Sequence, residues 1–176
     1  MSEVMWWVTV FVYWTTCALC IFSALKAPDK RWWRLLGIGF AVLAINKQHN
    51  LTGLITRMLR RNAFHNHWYF ERADIQYWTI GFIGALLICL IALFWFVANK
   101  QKASGIQRFV LSILLILGCY SLMRSISLHA LDYFLYRDFH GLQINWVFEL
   151  GMLILAVAMV AGGIIRLLRE QGQEGK

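Results

Sequence analysis

The residues whose chemistry stands out most clearly lie at the end of the fourth apolar segment. His129 and Asp132 are three positions apart, so on a helix they share one face, where a carboxylate can orient an imidazole for proton transfer or metal binding. The same spacing also suits plain structural pairing, because buried polar groups are generally satisfied. Small and polar residues extend this face into a stripe about 80° wide: Gly118, Ser121, Ser125, His129, Asp132 and Tyr136.

An amide and a carboxylate begin the fifth apolar segment one helical turn apart. Asn145 and Glu149 share a face there, and Glu149 lies at about the same membrane depth as His129 and Asp132. An ionisable group at this depth is costly unless it is paired, so we expect Glu149 to meet Arg124 or Lys47. The carboxylate then serves either as a structural counter-ion or as a group that handles a proton.

The connection between the second and third apolar segments mixes aromatic and charged residues. Trp68-Tyr69-Phe70 comes directly before Glu71 and Arg72, a composition typical of the lipid headgroup layer. We therefore expect Arg72 to contact a headgroup. No proline interrupts the chain from Asn46 to Arg61, so the pattern predicts that helical structure continues there as an amphipathic segment on the outer leaflet or over the bundle.

Metal binding is an open alternative for the histidines. His65 and His67 offer nitrogen donors one residue apart, and His129 with Asp132 offers a nitrogen and an oxygen. No spacing matches an established zinc signature. Ligation of a haem by His129 and His49 is a further alternative. The residues therefore leave both the metal and the cofactor unknown.

The composition excludes an ordinary soluble domain. Of the 176 residues, 60% are hydrophobic and 15% are charged, against roughly 25% charged residues in soluble domains. One proline and nine tryptophans exclude a disordered chain, and four cysteines are too few for a disulfide scaffold. The net charge of +8 comes from basic residues that flank apolar segments, so we expect no nucleic-acid partner.

Five apolar segments predict the fold. Crossing the hydrocarbon core takes a helix of about 20 mostly apolar residues, and four segments reach or approach that length. The second is shorter and crosses only if Trp32 and Trp33 lie at one interface. We predict an all-α membrane protein, a single domain over residues 1–176 in which five transmembrane helices form a bundle with an interfacial segment between helices 2 and 3. The predicted helices cover about 5–25, 33–50, 75–98, 109–134 and 144–168.

The basic residues predict the orientation. With five crossings, one side of the membrane carries ten of the 17 basic residues and three of the nine acidic ones. Basic loops favour the cytoplasmic side, so we expect a multi-pass protein of the inner membrane with its N-terminus outside and its C-terminus in the cytoplasm. All five histidines then face outward. The first segment has no basic n-region, so we interpret it as a retained helix.

Four short motifs contain most of the polar positions named above: Asn46-Lys47-Gln48, Trp68-Tyr69 with Arg72 and Gln76, Arg124-x-x-Ser127-x-His129-x-x-Asp132, and Asn145-Trp146-x-x-Glu149. Together they resemble a group of bacterial integral membrane proteins of unknown function, over most of the chain between Asn46 and Leu150. The resemblance implies a multi-pass membrane protein and no particular activity. Where the group has a second histidine after His129 and an acidic residue near His49, this chain has Ala130 and Asn50, which disfavours a paired-histidine metal site.

These patterns predict an outward-facing polar pocket lined by helices 2, 4 and 5. One hypothesis is a protein that binds or acts on a lipid-like or amphipathic small molecule of the outer leaflet, with membrane lipids as its partners. The alternative is a non-catalytic accessory subunit or assembly factor of a larger membrane complex, whose polar cluster only locks the helices together. For the first hypothesis the expected catalytic residues are His129, Asp132 and Glu149, and the expected substrate-binding residues are Arg124, Lys47, Ser125, Asn145 and Arg72.

Overall fold

Helices make up nearly all of the described chain. The computed structural model describes residues 2–27, 30–54, 57–58, 61, 72–101, 103–125, 138–139 and 142–174. A two-residue antiparallel pair, β1 Asp138–Phe139 with β2 Leu142–Gln143, comes directly before the last helix. The predicted all-helical class is therefore confirmed apart from this short pair. The helices are α1 Ser2–Lys26, α2 Lys30–His49, α3 Arg72–Lys100, α4 Gly105–Ser125 and α5 Ile144–Glu174.

The membrane assignment rests on three of these helices. Within the described residues, Glu3–Lys26, Gly105–Met123 and Ile144–Arg169 are long and apolar enough to cross a bilayer. Gly84–Lys100, in α3, is apolar but shorter. Helix α2 is long enough to cross a bilayer, but the basic residues in its first turns, Lys30, Arg31 and Arg34, lower its apolar content. The length and composition of these helices are compatible with a membrane protein.

Helices α1 and α2 form a closely packed hairpin. Trp33, Leu36 and Phe40 lie three or four residues apart on the inner face of α2 and are almost completely buried. Ile38 and Val42, on the outer face, are 62% and 59% exposed. A helix that is apolar on both faces suits a position with protein on one side and lipid on the other. The same core takes up residues from α1, α4 and α5: Tyr13, Cys17, Cys20, Val110, Leu117, Leu153 and Val160.

Contacts at two levels show how the helices run. A Cβ added at Gly163 of α5 would touch Ile106 of α4 and Trp33 of α2, so the end of α5 lies beside the beginnings of α2 and α4. At the opposite level, Lys47 near the end of α2 contacts Glu149 near the start of α5. Helix α5 therefore runs antiparallel to α2 and α4. We call the level of Lys47 and Glu149 the cluster end, and the level of Trp33 and Gly163 the basic end.

Helix α2 does not run unbroken into the interfacial segment. It ends at His49, and Asn50 has a positive φ of 49°. Asparagine tolerates this left-handed conformation better than most residues, so the helix is interrupted there and resumes over 51–54. The prediction that helical structure continues past Asn46 is confirmed in outline, but the direction of the chain changes at Asn50. The last helical turn of α2, before this interruption, lies beside α1 and α5.

Candidate functional site

An ion pair between Lys47 and Glu149 forms the centre of the cluster end. The Lys47 Nζ atom lies 2.6 Å from Glu149 Oε2, and the two side chains are only 14% and 5% exposed. Lys47 is placed by the last turn of α2, and Glu149 by the second turn of α5. Charges removed from water are expensive unless they are paired and hydrogen-bonded. The pair therefore determines how α2 and α5 meet at this end.

Two aromatic residues complete the surroundings of this pair. The hydroxyl of Tyr13, in α1, donates to Glu149 Oε1 at 3.2 Å, so both carboxylate oxygens are engaged. The ring centre of Trp146, one turn before Glu149, lies 4.8 Å from Lys47 Nζ, within the range of a cation–π interaction. A cation held by a carboxylate and an aromatic face is well oriented. The ammonium group thus has a defined direction.

A second polar contact joins α2 to α4. The Asn46 side-chain amide donates to Ser121 Oγ at 2.7 Å, and Thr52 Oγ1 donates to Asn46 Oδ1 at 3.3 Å. Ser121 belongs to the stripe predicted for the fourth helix, so that face of α4 does point inward at this level. The contact closes the side of the ion pair that faces α4.

Between these two contacts lies a small cleft. Its volume is about 290 Å³, including the part that is open to the surroundings. Most of that volume is open space, and the enclosed part has room for about one water molecule, so the cleft can hold a small polar group but not a whole ligand. Its lining consists of Tyr13, Leu43, Asn46, Lys47, Thr52, Tyr120, Ser121 and Glu149.

Asn145 is a polar residue in the first turn of α5, which directly follows strand β2. It is 2% exposed, and its Oδ1 atom has no hydrogen-bond partner among the residues that the structure describes. A buried carbonyl oxygen without a hydrogen-bond donor is unfavourable. We therefore expect a donor for Oδ1 from a group other than the described residues. Asn145 lies one turn from Glu149, on the same side of α5 as the ion pair. Its amide is therefore poised to accept a hydrogen bond beside the cluster.

Comparison with known proteins assigns the chain to no family. No family model, curated protein or solved structure matches the chain.

The structure describes some of the predicted site residues and not others. Lys47 and Glu149 meet at the cluster end, with Asn145 one helical turn from Glu149, and of the two expected partners of Glu149, Arg124 and Lys47, the structure shows Lys47 in contact. Arg72 begins α3, and Arg124 and Ser125 end α4, but their side chains lie outside the described part of the chain. His129 and Asp132 lie outside the described residues altogether. Their assignment to the site remains a prediction.

The contribution of α1 was missing from the predicted pocket, which used only helices 2, 4 and 5. Tyr13 reaches Glu149, and the Trp6 indole donates to the Lys47 carbonyl at 3.1 Å, where a helix end leaves carbonyls without helical partners. Trp14 also donates to Gln48 Oε1, at 3.4 Å. The available signal was that a tyrosine or tryptophan inside an apolar helix needs a partner for its polar atom.

The described residues contain no cluster of three or more His, Cys, Asp or Glu side chains that would suit a metal ion. Four of the five histidines, His65, His67, His129 and His140, lie outside that part of the chain. The predicted His-x-His pair and His129 of the haem alternative therefore lie outside the described residues, whereas His49, the other haem candidate, ends α2 and is exposed. Within the described part, the chemistry of the site is that of one cation, one carboxylate and neutral hydrogen-bonding groups.

Proposed function

We propose that this protein crosses the inner membrane five times and binds, or acts on, the polar end of a lipid-like or amphipathic small molecule at its cluster end. The observation that carries the proposal is the convergence of Lys47, Glu149, Tyr13, Asn46 and Ser121 on one cleft where four helices begin or end. Such a site is polar inside and surrounded by apolar helix faces. It therefore suits a molecule with one polar end and one apolar end.

The residues have distinct tasks in this proposal. Lys47 provides the positive charge for an anionic group, since it is the cation that borders the cleft in the described residues. Glu149 accepts a hydrogen bond or a proton from the bound molecule. His129 and Asp132 supply a second proton-handling pair, with Arg124 beside them. His129 and Asp132 belong to the sequence stripe that includes Ser121, and Arg124 borders that stripe.

The outward orientation of the cluster end is part of the proposal. Its support is the distribution of charge: the opposite end of the bundle carries most of the exposed basic residues that the structure describes. Basic residues prefer the cytoplasmic side, so the cluster end then faces away from the cytoplasm, with the N-terminus outside and the C-terminus inside. The residues concerned are Lys26, Lys30, Arg31, Arg34, Lys100, Arg166 and Arg169.

A second candidate function is favoured by a separate observation. Lys47, Glu149, Asn46 and Ser121 already pair with one another, which is typical of a cluster that locks helices together. In that case the protein is a non-catalytic accessory subunit or assembly factor of a larger membrane complex. Its polar cluster then stabilises the fold, and its partner is another membrane protein.

The two candidate functions are distinguished by the molecules that copurify with the native protein when it is extracted in mild detergent. Mass spectrometry of the purified protein is expected to find an amphipathic small molecule enriched over the bulk membrane lipids. Lys47→Gln is expected to lose at least about tenfold of this enrichment, as loss of a charged hydrogen bond predicts, whereas Lys47→Arg keeps part of it. Lys30→Gln, at the exposed start of the same helix, serves as the matched control and retains it.

The opposite result is equally clear. If the wild type and Lys47→Gln carry the same lipids as the bulk membrane while a second membrane protein is recovered in fixed proportion, the binding proposal fails and the accessory function stands. Binding is normalised to the folded protein, measured by size-exclusion chromatography, so that poor folding of a variant is not mistaken for loss of the ligand.

A further inference from the structure

A second ordered cation lies at the basic end, on the surface between α3 and α4. Arg108 is held over Trp95, with its guanidinium carbon 5.4 Å from the ring centre. Its Nη1 atom donates to Asn99 Oδ1 at 3.1 Å, and the Trp95 indole donates to Ser112 Oγ at 2.8 Å. Both the guanidinium and the ring beneath it are thus fixed by contacts across the two helices.

This arrangement leaves donor capacity unused. A guanidinium has five N–H donors in a planar fork, and the Nε atom of Arg108, although buried, has no hydrogen-bond partner among the described residues. A buried donor without an acceptor is unfavourable. The Trp95 side chain is 44% exposed, so the site opens toward the outer surface of the bundle and not toward the core. An acceptor from the membrane can therefore approach the exposed Nη side of the guanidinium, whereas Nε is enclosed by the protein.

The level of Arg108 is set by the start of α4. The Ser104 N–H donates to Gln107 Oε1 at 2.8 Å and the Gln107 N–H donates to Ser104 Oγ at 3.2 Å, which is the reciprocal pattern of a capping box. Arg108 follows directly, opposite the last turn of α3, where Lys100 is exposed. In a helix that crosses the bilayer, this is the depth of the headgroups.

We infer that the Arg108–Trp95 site binds the phosphodiester of an anionic phospholipid headgroup. The guanidinium fork matches two oxygens of a phosphate, which an ammonium does not do. Trp95 supplies an aromatic surface at the boundary between headgroup and acyl chain. The exposed basic residues of the same end raise the local concentration of anionic lipid. The site lies at the opposite end of the bundle from Lys47, so the inference does not depend on the proposed function.

The test measures lipid binding to the whole detergent-solubilised protein by native mass spectrometry. Phosphatidylglycerol and phosphatidylcholine with identical acyl chains are titrated separately, and the wild type is expected to prefer phosphatidylglycerol. Arg108→Gln is expected to weaken phosphatidylglycerol binding about fivefold. The matched control Arg169→Gln removes an exposed charge of the same end and is expected to weaken it by no more than about twofold. Trp95→Leu, which keeps every charge, is expected to resemble Arg108→Gln.

Three results would overturn the inference. Equal losses in Arg108→Gln and Arg169→Gln would show a diffuse charge effect without a built site. Equal affinity for the two lipids would remove the anionic preference. Displacement of the lipid by inorganic phosphate at comparable concentration would assign the site to free phosphate. Should Arg108→Gln fail to fold by circular dichroism, Arg108→Lys replaces it, and full retention of phosphatidylglycerol affinity in that variant contradicts the role of the fork.

Discussion

At the scale of single residues, the ion pair of Lys47 and Glu149 is the most consequential interaction in the described chain. Glu149 is buried, Lys47 is largely buried, and the two charges are in direct contact. Tyr13 and Trp146 add a hydrogen bond and an aromatic face, but neither cancels a charge. Because desolvation offsets much of the attraction, such a pair contributes little net stability, while the loss of one partner is severe.

This asymmetry leads to a prediction for paired substitutions. Lys47→Met leaves the carboxylate buried without its cation, so we expect a loss of about 3–5 kcal/mol in the free energy of unfolding. Glu149→Gln leaves the ammonium unpaired and is expected to cost a similar amount. The double variant Lys47→Met/Glu149→Gln buries no charge and is expected to be more stable than either single variant. Reversible denaturation in detergent micelles measures all three.

The double variant also provides the decisive comparison. If the effects of the two single substitutions simply add in the double variant, the residues do not interact in the folded protein, and the ion pair has no energetic role. His49→Ala, next to the pair but outside the cleft, is the control and is expected to change stability little.

At the scale of elements, the spacing of α2 and α4 decides whether the cluster can form. A Cβ added at Gly39 of α2 would overlap the side chain of Leu114 in α4, so the two helices approach closely there. Asn46 lies seven residues after Gly39, and Ser121 seven residues after Leu114. Two helical turns therefore separate the close approach from the Asn46–Ser121 hydrogen bond on both helices. The glycine sets the distance that the hydrogen bond requires.

Gly39→Ala is accordingly expected to force α2 and α4 apart or to displace Leu114. Overpacking of this kind costs typically about 1–3 kcal/mol, measured as a loss in the free energy of unfolding. Gly118→Ala, in α4, adds its methyl group where the structure shows nothing within 4 Å, so it is the matched control and is expected to be neutral or slightly stabilising. Adding Leu114→Ala to Gly39→Ala is expected to recover part of the loss. No recovery would mean that Leu114 is not the obstacle.

At the scale of the whole molecule, the bundle separates two kinds of polar residue. The cluster end holds the paired Lys47 and Glu149, whereas the basic end exposes several basic residues near Arg108. Apolar helix faces such as those of Phe11, Ile38 and Phe96 cover the length between them. This separation suits a molecule that spans a bilayer with one strongly basic surface.

The proposed orientation makes a prediction about access from the two sides of the membrane. A membrane-impermeant maleimide is expected to label Glu3→Cys in intact spheroplasts, because the start of α1 then lies outside. Gln173→Cys, exposed near the end of α5, is expected to react only after lysis. The native Cys17, Cys20 and Cys119 are buried in helices, and the exposed Cys89 is replaced by serine in both variants to remove its background. The reverse labelling pattern would contradict the proposed orientation.

The amino-acid sequence by itself determined that the chain is helical and that its helices have a length and composition compatible with a membrane, because both depend on residues close together along the chain. It also limited the partners of Glu149 to two cations, since few charges lie at that depth. Only the tertiary structure decided that Lys47 is the partner and that Tyr13 joins the pair, because the rotation of α1 against α2 and α5 sets which side chains meet. That rotation depends on packing between distant segments, such as Gly39 against Leu114, which no local pattern reveals.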